Sequence, residues 1–392
     1  MRHVPPPATD PLRVCSLFSG IGGFELGLAR AGHSTIMMCE ADPYARAVLN
    51  QHFPGVPVDP DVVAMRELPD CDLLTAGWPC QDLSQVGATR GADGPRSGLV
   101  SHVFRLIAAS RRRPRYVLLE NVAFALDLQA GQAVHRVITE LESLGYSWAY
   151  RILDTRSFGL PQRRRRLFVL AALDADPAAI LMDGIDTIPQ GIPSDPTMIG
   201  FYWTEGTSGV GWSPDAVPPL KGGSGVGIPS PPAVWERQTG RFITPGIEDA
   251  ERLQGFTAGW TRPAASLTRG ERRRWMLVGN AVSVPVAEWL GQRMAQPTGG
   301  GRQLDPIGTI TGRPKTPRAA AGGVGQKIRL YNSYNEGPSI PLSLTLSDFK
   351  IQNSAPLSNR ALSGFARRYR TGSLKQNREF LDALTVAEGH TT

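Results

Sequence analysis

Leu12-Arg-Val-Cys-Ser-Leu-Phe18, running straight into Ser19-Gly20-Ile21-Gly22-Gly23, is the stretch that decides the fold. A short apolar run stopped by glycines reads as a buried strand, and a helix follows from Phe24 to about Ala31. Glycines between a strand and a helix let a ligand come close to backbone at the helix N-terminus. A bare tight turn would use the same residues, and so would a dinucleotide site. The next strand, Thr35 to Cys39, delivers Glu40 some 20 residues on, where a carboxylate meets ribose hydroxyls in sheets of this kind. Together these residues favour a cofactor containing adenosine.

Working outward, Asp42 caps a helix through Asn50, with Pro43 suited to its first turn. Cys71 to Ala76 is a third strand, stopped by Gly77-Trp78-Pro79-Cys80. Leu99 to Ser110 is helical, and Arg115 to Leu119 is a strand ending at Glu120-Asn121-Val122. Gln132 to Leu144 is an amphipathic helix. Trp148 to Leu153 and Arg166 to Ala172 are strands flanking Gly159-Leu160-Pro161-Gln162. Strands alternating with helices at this spacing predict an α/β fold with a mostly parallel sheet and ligands at its carboxyl edge. The residues with chemical potential all stand just after strands.

From Asp174 to Trp235 the periodicity gives way to Pro, Gly and Trp, and Val217 to Pro232 excludes a regular helix. Helical signal returns at Glu248 to Leu253 and at Trp275 to Leu290. Pro297 to Gly325 reads as a linker, and residues 326–392 as a basic extension with a helix near Asn377 to Val386. Residues 297–392 hold 13 Lys or Arg against 6 Asp or Glu, so this stretch carries the whole net charge of +7. No apolar run of membrane-spanning length occurs, and the N-terminus lacks a secretory signal, so a cytoplasmic protein is expected. The four cysteines, Cys15, Cys39, Cys71 and Cys80, form no C-x-x-C pair and lack a nearby histidine cluster. That spacing argues against a disulfide framework and against a metal site.

Pro79-Cys80-Gln81 presents a thiol at the sheet's ligand edge. A free thiol titrates near pH 8.5, so it needs help to act as a nucleophile near neutrality, and a buried structural cysteine is the plain alternative. Glu120, also at a strand end, can face the same crevice. A thiolate beside a carboxyl group suits covalent attack on a ring that takes up a proton as it is attacked. In Gln162-Arg-Arg-Arg-Arg166, strand alternation sends Arg164 and Arg166 to one side and Arg163 and Arg165 to the other. One pair can therefore face the crevice, and a solvated basic face is the other reading.

In order, Phe18-Ser-Gly-Ile-Gly-Gly23, Pro79-Cys-Gln81, Glu120-Asn-Val122, Gln162 to Arg166, Arg252-Leu-Gln-Gly-Phe256 and Gly279-Asn280 resemble the successive motifs of the cytosine carbon-5 DNA methyltransferase family, over residues 12–296. The resemblance implies a Rossmann-like S-adenosylmethionine-dependent domain at 10–173 and 275–296, with a small irregular target-recognition region at 174–274. It implies S-adenosylmethionine around Phe18, Gly20, Ile21, Gly22, Gly23, Glu40, Asp61 and Pro79, with Asn280 supporting the site. Asp59 competes with Asp61 as the acid at the adenine amino group. Cys80 matches the nucleophile, Glu120 the acid at cytosine N3, and Arg164 and Arg166 the arginines around a flipped base. Ser84, Lys221, Arg237, Arg241 and Gln254 become candidate DNA contacts. Two positions depart from the family: Arg165 stands where an acid is frequent, and Gly246 where an arginine is common.

Carbon 5 of cytosine is a poor nucleophile, and thiolate addition at carbon 6 enriches it, which explains the pairing of a cysteine with an acid. A stacked base is out of reach and must flip. Double-stranded DNA is therefore the expected partner of a monomeric enzyme, with a cognate restriction endonuclease as a functional partner. Rival readings are an RNA cytosine methyltransferase, a DNA-binding protein with a decayed site, and a nicotinamide oxidoreductase. The last explains only the glycine turn.

Overall fold

The computed structural model describes residues 10–78, 98–182, 195–205, 207, 209–221, 231–267, 271–296, 306–310, 317–331 and 344–389. Its strands, in chain order, are β1 (Arg13–Leu17), β2 (Ser34–Cys39), β3 (Val58–Asp59), β4 (Leu73–Gly77), β5 (Tyr116–Val122), β6 (Ser147–Asp154), β7 (Arg165–Ala172), β8 (Met198–Phe201), β9 (Ser213–Pro214), β10 (Ala233–Glu236), β11 (Arg241–Pro245), β12 (Pro306–Ile310), β13 (Ala319–Gly322), β14 (Ile328–Tyr331) and β15 (Ser354–Pro356). The principal helices are α1 (Gly23–Arg30), α2 (Pro43–His52), α3 (Leu99–Ala109), α4 (Gln132–Ser143), α5 (Val284–Ala295), α6 (Asn359–Thr371) and α7 (Arg378–Gly389). Two compact units divide the chain. The first is Met1–Ser157, Arg165–Ile188 and Val282–Ser339; the second is Phe158–Arg164, Pro189–Ala281 and Ile340–Thr392.

The first unit is built on one sheet in the order β12-β14-β13-β6-β7-β5-β4-β1-β2-β3. The strands β3, β2, β1, β4 and β5 are parallel, and β7 and β6 turn antiparallel beside them. A buried parallel strand reads as a continuous apolar run rather than an alternating one, and Val14 to Leu17 of β1 are all buried. One face is covered by α3 and α4, whose Val103, Leu106, Ile107, Val137 and Leu141 join Cys15, Leu17, Leu74 and Val117 in one core. Asp42 caps α2 as expected, its Oδ1 accepting from the N–H of Tyr44 at 2.7 Å. Elsewhere in the unit α5 lies against α1 so closely that a Cβ on Gly27 would stand 2.6 Å from the Cβ of Ala287.

Two sequence expectations are corrected here. The segment expected to be a linker, residues 297–325, contributes β12 and β13, and β14 lies just beyond it. Together they extend the sheet antiparallel from β6. The basic extension is not an appendage either, because its remainder belongs to the second unit. Strands of three to five residues, such as β13 and β15, carry too little pattern to stand out from a Gly- and Pro-rich background.

In the second unit, the stretch that looked irregular forms an antiparallel sheet, β15-β11-β10-β8-β9. The helices α6 and α7 supply its apolar cover: Leu362, Phe365, Tyr369, Phe380 and Leu384 share a core with Phe201, Trp235 and Phe242. The hub is Phe380, whose ring centroid lies 5.2 Å from Phe201, 5.0 Å from Trp212, 5.2 Å from Trp235 and 5.3 Å from Tyr369. Phe380→Ala should destabilise this unit by about 3–5 kcal/mol in denaturant unfolding, the cost of emptying a buried aromatic site. A loss under about 0.5 kcal/mol, the effect typical of a surface site, would mean that the helix is not part of the core.

Candidate active site

Within the first unit, β1, β4 and β5 end side by side because their registers align Leu17 with Ala76 and Gly77 with Glu120. The Glu120 side chain is nearly buried. A Cβ placed on Gly77 would sit 3.6 Å from its Oε2 and 3.9 Å from the carbonyl oxygen of Phe18. The carboxylate therefore lies beside the end of β4. Arg166, facing it from β7, brings its Nε to 3.2 Å from Glu120 Oε1. Next along β5, the Asn121 amide donates to the carbonyl of Trp78 at 3.2 Å, while its Oδ1 accepts from the N–H of Val122. Asn121 thus ties down the chain one residue before Pro79-Cys80. Its motif was noticed in sequence, but this clamp was not, since an amide's partner across a sheet leaves no local signal.

Pro79, Cys80 and Ser84 lie outside the described residues. The other three cysteines are buried. Burial pushes the Cys39 thiol up to about 12, and a hydrogen bond with Cys71 together with burial pushes Cys15 up as well.

The glycine turn has the conformation its composition requires. Phe18 and Gly20 are left-handed, at φ 56° and 57°, and Gly22 caps α1 at φ 90°. A Cβ on Gly22 would meet the Phe53 ring at 2.5 Å, and one on Gly23 the Val282 carbonyl at 2.3 Å; one on Gly20 would meet nothing within 4 Å. The turn is packed from behind and open at Gly20. Glu40 spans its base: one carboxylate oxygen accepts from the N–H of Gly20 at 2.7 Å, the other from the N–H of Asp42 at 2.8 Å. Burial pushes the Glu40 carboxyl up, with those N–H groups acting in the opposite sense. Asp59 pairs beside Cys39, and its Oδ1 accepts from Asp61 N–H at 2.9 Å, while Asp61 is exposed. Ile21 is buried.

A residue missed in sequence is Glu25 on α1, completely buried. Burial pushes its carboxyl up, against the opposing effect of the Ser16 and Ser19 hydroxyls. Nothing marks it in sequence, because an acid in the first turn of a helix is ordinarily a solvated dipole partner.

In the second unit, several residues expected to contact a ligand also have partners within the protein. Arg164 is buried and donates to the carbonyls of Leu220, Gly279 and Ala281 at 3.2, 3.0 and 2.7 Å. Gln254 is buried too, donating to Val278 O at 2.9 Å and lying 3.2 Å from Gln162 Nε2. Arg237 is locked to Asp195 and Glu379. Lys221 pairs with Glu205, its Nζ 3.7 Å from the centre of the Tyr202 ring. Arg274 is buried against Glu251 at 3.0 Å. Arg164, Gln254 and Arg274 are buried, and a buried polar group needs protein partners in place of water, whereas Lys221 and Arg237 are partly exposed ion-pair members. Arg241 remains exposed, 3.7 Å from Glu236, and Asn280 is exposed at the end of helix Arg272–Asn280.

A parallel sheet with an open glycine turn, an acid after the second strand and a carboxylate at the neighbouring strand end fits what the resemblance implies, an S-adenosylmethionine-dependent methyltransferase. The profile of the C-5 cytosine-specific DNA methylase family matches residues 12–193. The chain is 44% identical over 384 residues to the Type II methyltransferase M2.BsuMI of Bacillus subtilis (strain 168), covering 95% of this chain and 97% of that one. It is 28% identical over 307 residues to the Type II methyltransferase M.MspI of Moraxella sp, 73% of this chain and 71% of that one. A crystal structure of the S. pombe Dnmt2 methyltransferase shares the fold at a TM-score of 0.53, with 19% identity over 73% of this chain and 99% of that one. The chain belongs to the C-5 cytosine-specific DNA methylase family. It is a DNA (cytosine-5-)-methyltransferase that uses S-adenosylmethionine.

The raised Glu25 carboxyl gives a pH test. A group protonated in the folded state above its unfolded range contributes stability that is intact at low pH and fades as pH climbs from the unfolded carboxyl range, about 4.3, toward the folded value. Glu25→Gln should therefore match the parent's melting temperature near pH 4 and exceed it at pH 7. Parallel melting curves at both pH values would show Glu25 to be ionised in the fold.

Proposed function

We propose that Cys80 is the nucleophile, that Glu120 and Arg166 handle the cytosine ring, and that the turn Phe18 to Gly23 with Glu40 and an acid of Asp59 or Asp61 holds the cofactor. The observation that carries this reading is the Glu120 carboxylate, nearly buried, paired with Arg166 and in register with Gly77, which stands three residues before Cys80 in sequence. Burial of the other three cysteines leaves Cys80 as the thiol unaccounted for.

The turn fits the cofactor. Its backbone is open at Gly20, where a close approach is needed, and Glu40 stands where ribose hydroxyls would find an acceptor. S-adenosylmethionine bound there supplies an electrophilic methyl group to carbon 5. Among the protein groups, the Cys80 thiolate adds to carbon 6 of the flipped cytosine, and the electron pair moves toward carbon 5 and N3. Glu120 delivers or shares a proton at N3, so negative charge does not accumulate on the ring. Arg166 holds the Glu120 carboxyl in place through Nε and directs its guanidinium toward the base carbonyl. Asn121 keeps the root of the thiol loop against β5. Loss of the carbon-5 proton then returns electrons to the ring and releases the thiolate.

With Type II methyltransferases as relatives, we assign the chain to modification of a specific duplex sequence, as the protecting member of a restriction-modification pair. Its second unit reads the sequence. The enzyme works as a cytoplasmic monomer beside a separate endonuclease. Among the described residues, no helix is long and apolar enough to cross a membrane.

Duplex DNA carrying 5-fluorocytosine in the target should trap a covalent complex that resists denaturing electrophoresis, because fluorine cannot leave as the proton does. Cys80→Ser should abolish the band, and a band persisting in that variant would remove Cys80 from its role. Glu120→Gln should lower kcat by about 10²- to 10⁴-fold, the range for lost proton transfer, as measured by methyl incorporation. A change within threefold would move the proton donor elsewhere.

A further inference from the structure

The cations of the second unit fall into two sets. Lys221, Arg237, Arg252, Arg262, Arg274 and Arg370 are each matched to an acid. The other set is concentrated near the C-terminus. From Lys350 to Arg378 the chain carries seven Lys or Arg, the paired Arg370 among them, and no Asp or Glu. The helix α6 lies in this stretch. It turns Leu362, Phe365, Ala366 and Tyr369 into the core and leaves Arg360, Ser363 and Arg367 exposed. Arg360 and Arg367 are seven residues apart, hence on one face and about 10 Å apart along the axis. Ser363 and Gly364 between them are small, so a ligand can lie flat across the two arginines. No ion pair or side-chain hydrogen bond among the described residues engages either guanidinium.

The helix bearing these arginines is pinned. Phe365 stacks near Phe201 with centroids 4.9 Å apart, and Arg368 donates to the carbonyls of Glu205 and Trp203 at 3.0 and 2.8 Å. Two uncompensated, permanently charged forks on a rigid scaffold suit a polyanion of regular charge spacing. Phosphates of one DNA strand recur every 3.4 Å or so along the duplex axis, so about 10 Å corresponds to roughly three steps. We propose that the exposed face of α6 is a phosphate-contacting surface for duplex DNA, with Arg360 and Arg367 each meeting one backbone phosphate. The proposal rests on duplex DNA being the substrate and adds a contact made by the last part of the chain. Phosphate contacts fix register without reading bases, so the contribution is the same on any sequence.

The test is the salt dependence of binding by the full-length enzyme to a duplex DNA oligonucleotide. Each lost phosphate contact removes about 0.9 from the slope of log K against log salt. Arg360→Gln/Arg367→Gln should therefore flatten the slope by about 1.8 with an unchanged melting temperature, and the lysine pair Arg360→Lys/Arg367→Lys should restore it. An unchanged slope in the glutamine pair, while the parent binds and methylates the same duplex, overturns the proposal and leaves the enzyme's activity standing. A slope change seen on duplex RNA alone also overturns it. A parent that neither binds nor methylates duplex DNA would instead strike at the substrate itself, and the proposal would fall with it.

Discussion

The parallel register of β4 and β5 is the constraint on which the chemistry depends. Because Gly77 and Glu120 are register partners, the two strands finish at the same edge. A slip of one residue would turn the acid to the opposite face of the sheet. Glycine at position 77 leaves the carboxylate room, Arg166 crosses from the antiparallel β7 to hold it, and Asn121 secures the strand end beside it. The end of β4, the acid and the guanidinium thus come from three separate stretches of chain.

The second unit shows a different use of polar groups. Gln162, Arg164 and Gln254 form one buried set with the carbonyls of Leu220, Leu253, Val278 and Ala281. Glu251, Thr261 and Arg274 form another. Removing one member of such a set strands its partners without water, which is why buried polar networks are costly to break and specify one arrangement. A unit that must present a defined surface from short strands and long loops gains rigidity from these ties.

These two uses explain what could be read before the structure. The parallel core was legible: apolar runs between glycine turns located β1, β2, β4 and β5 to within a residue or three, and the acids at their ends stood out. Cap chemistry located α2 through Asp42 and Pro43. Side-chain partners were harder to read, because a charge run such as Arg163 to Arg166 looks the same whether it faces water, a ligand or a ring of carbonyls. The partners of Arg164 lie 56 to 117 positions away in sequence. The tail was misjudged for the same reason. Its short strands pair with β6 and β11, and the apolar positions of α6 and α7 pack in one core with Phe201, Trp235 and Phe242.

That late arrival of Phe380 affects how the protein is made. At a synthesis rate of about 5–20 residues per second, roughly 10 to 35 seconds pass between the emergence of Phe201 and that of Phe380. Throughout that interval an aromatic sheet face stays open on the ribosome-bound chain. The sheet of the first unit likewise waits for β12 to β14. A nascent chain released before Phe380 would hold that aromatic face without the cover that α7 supplies.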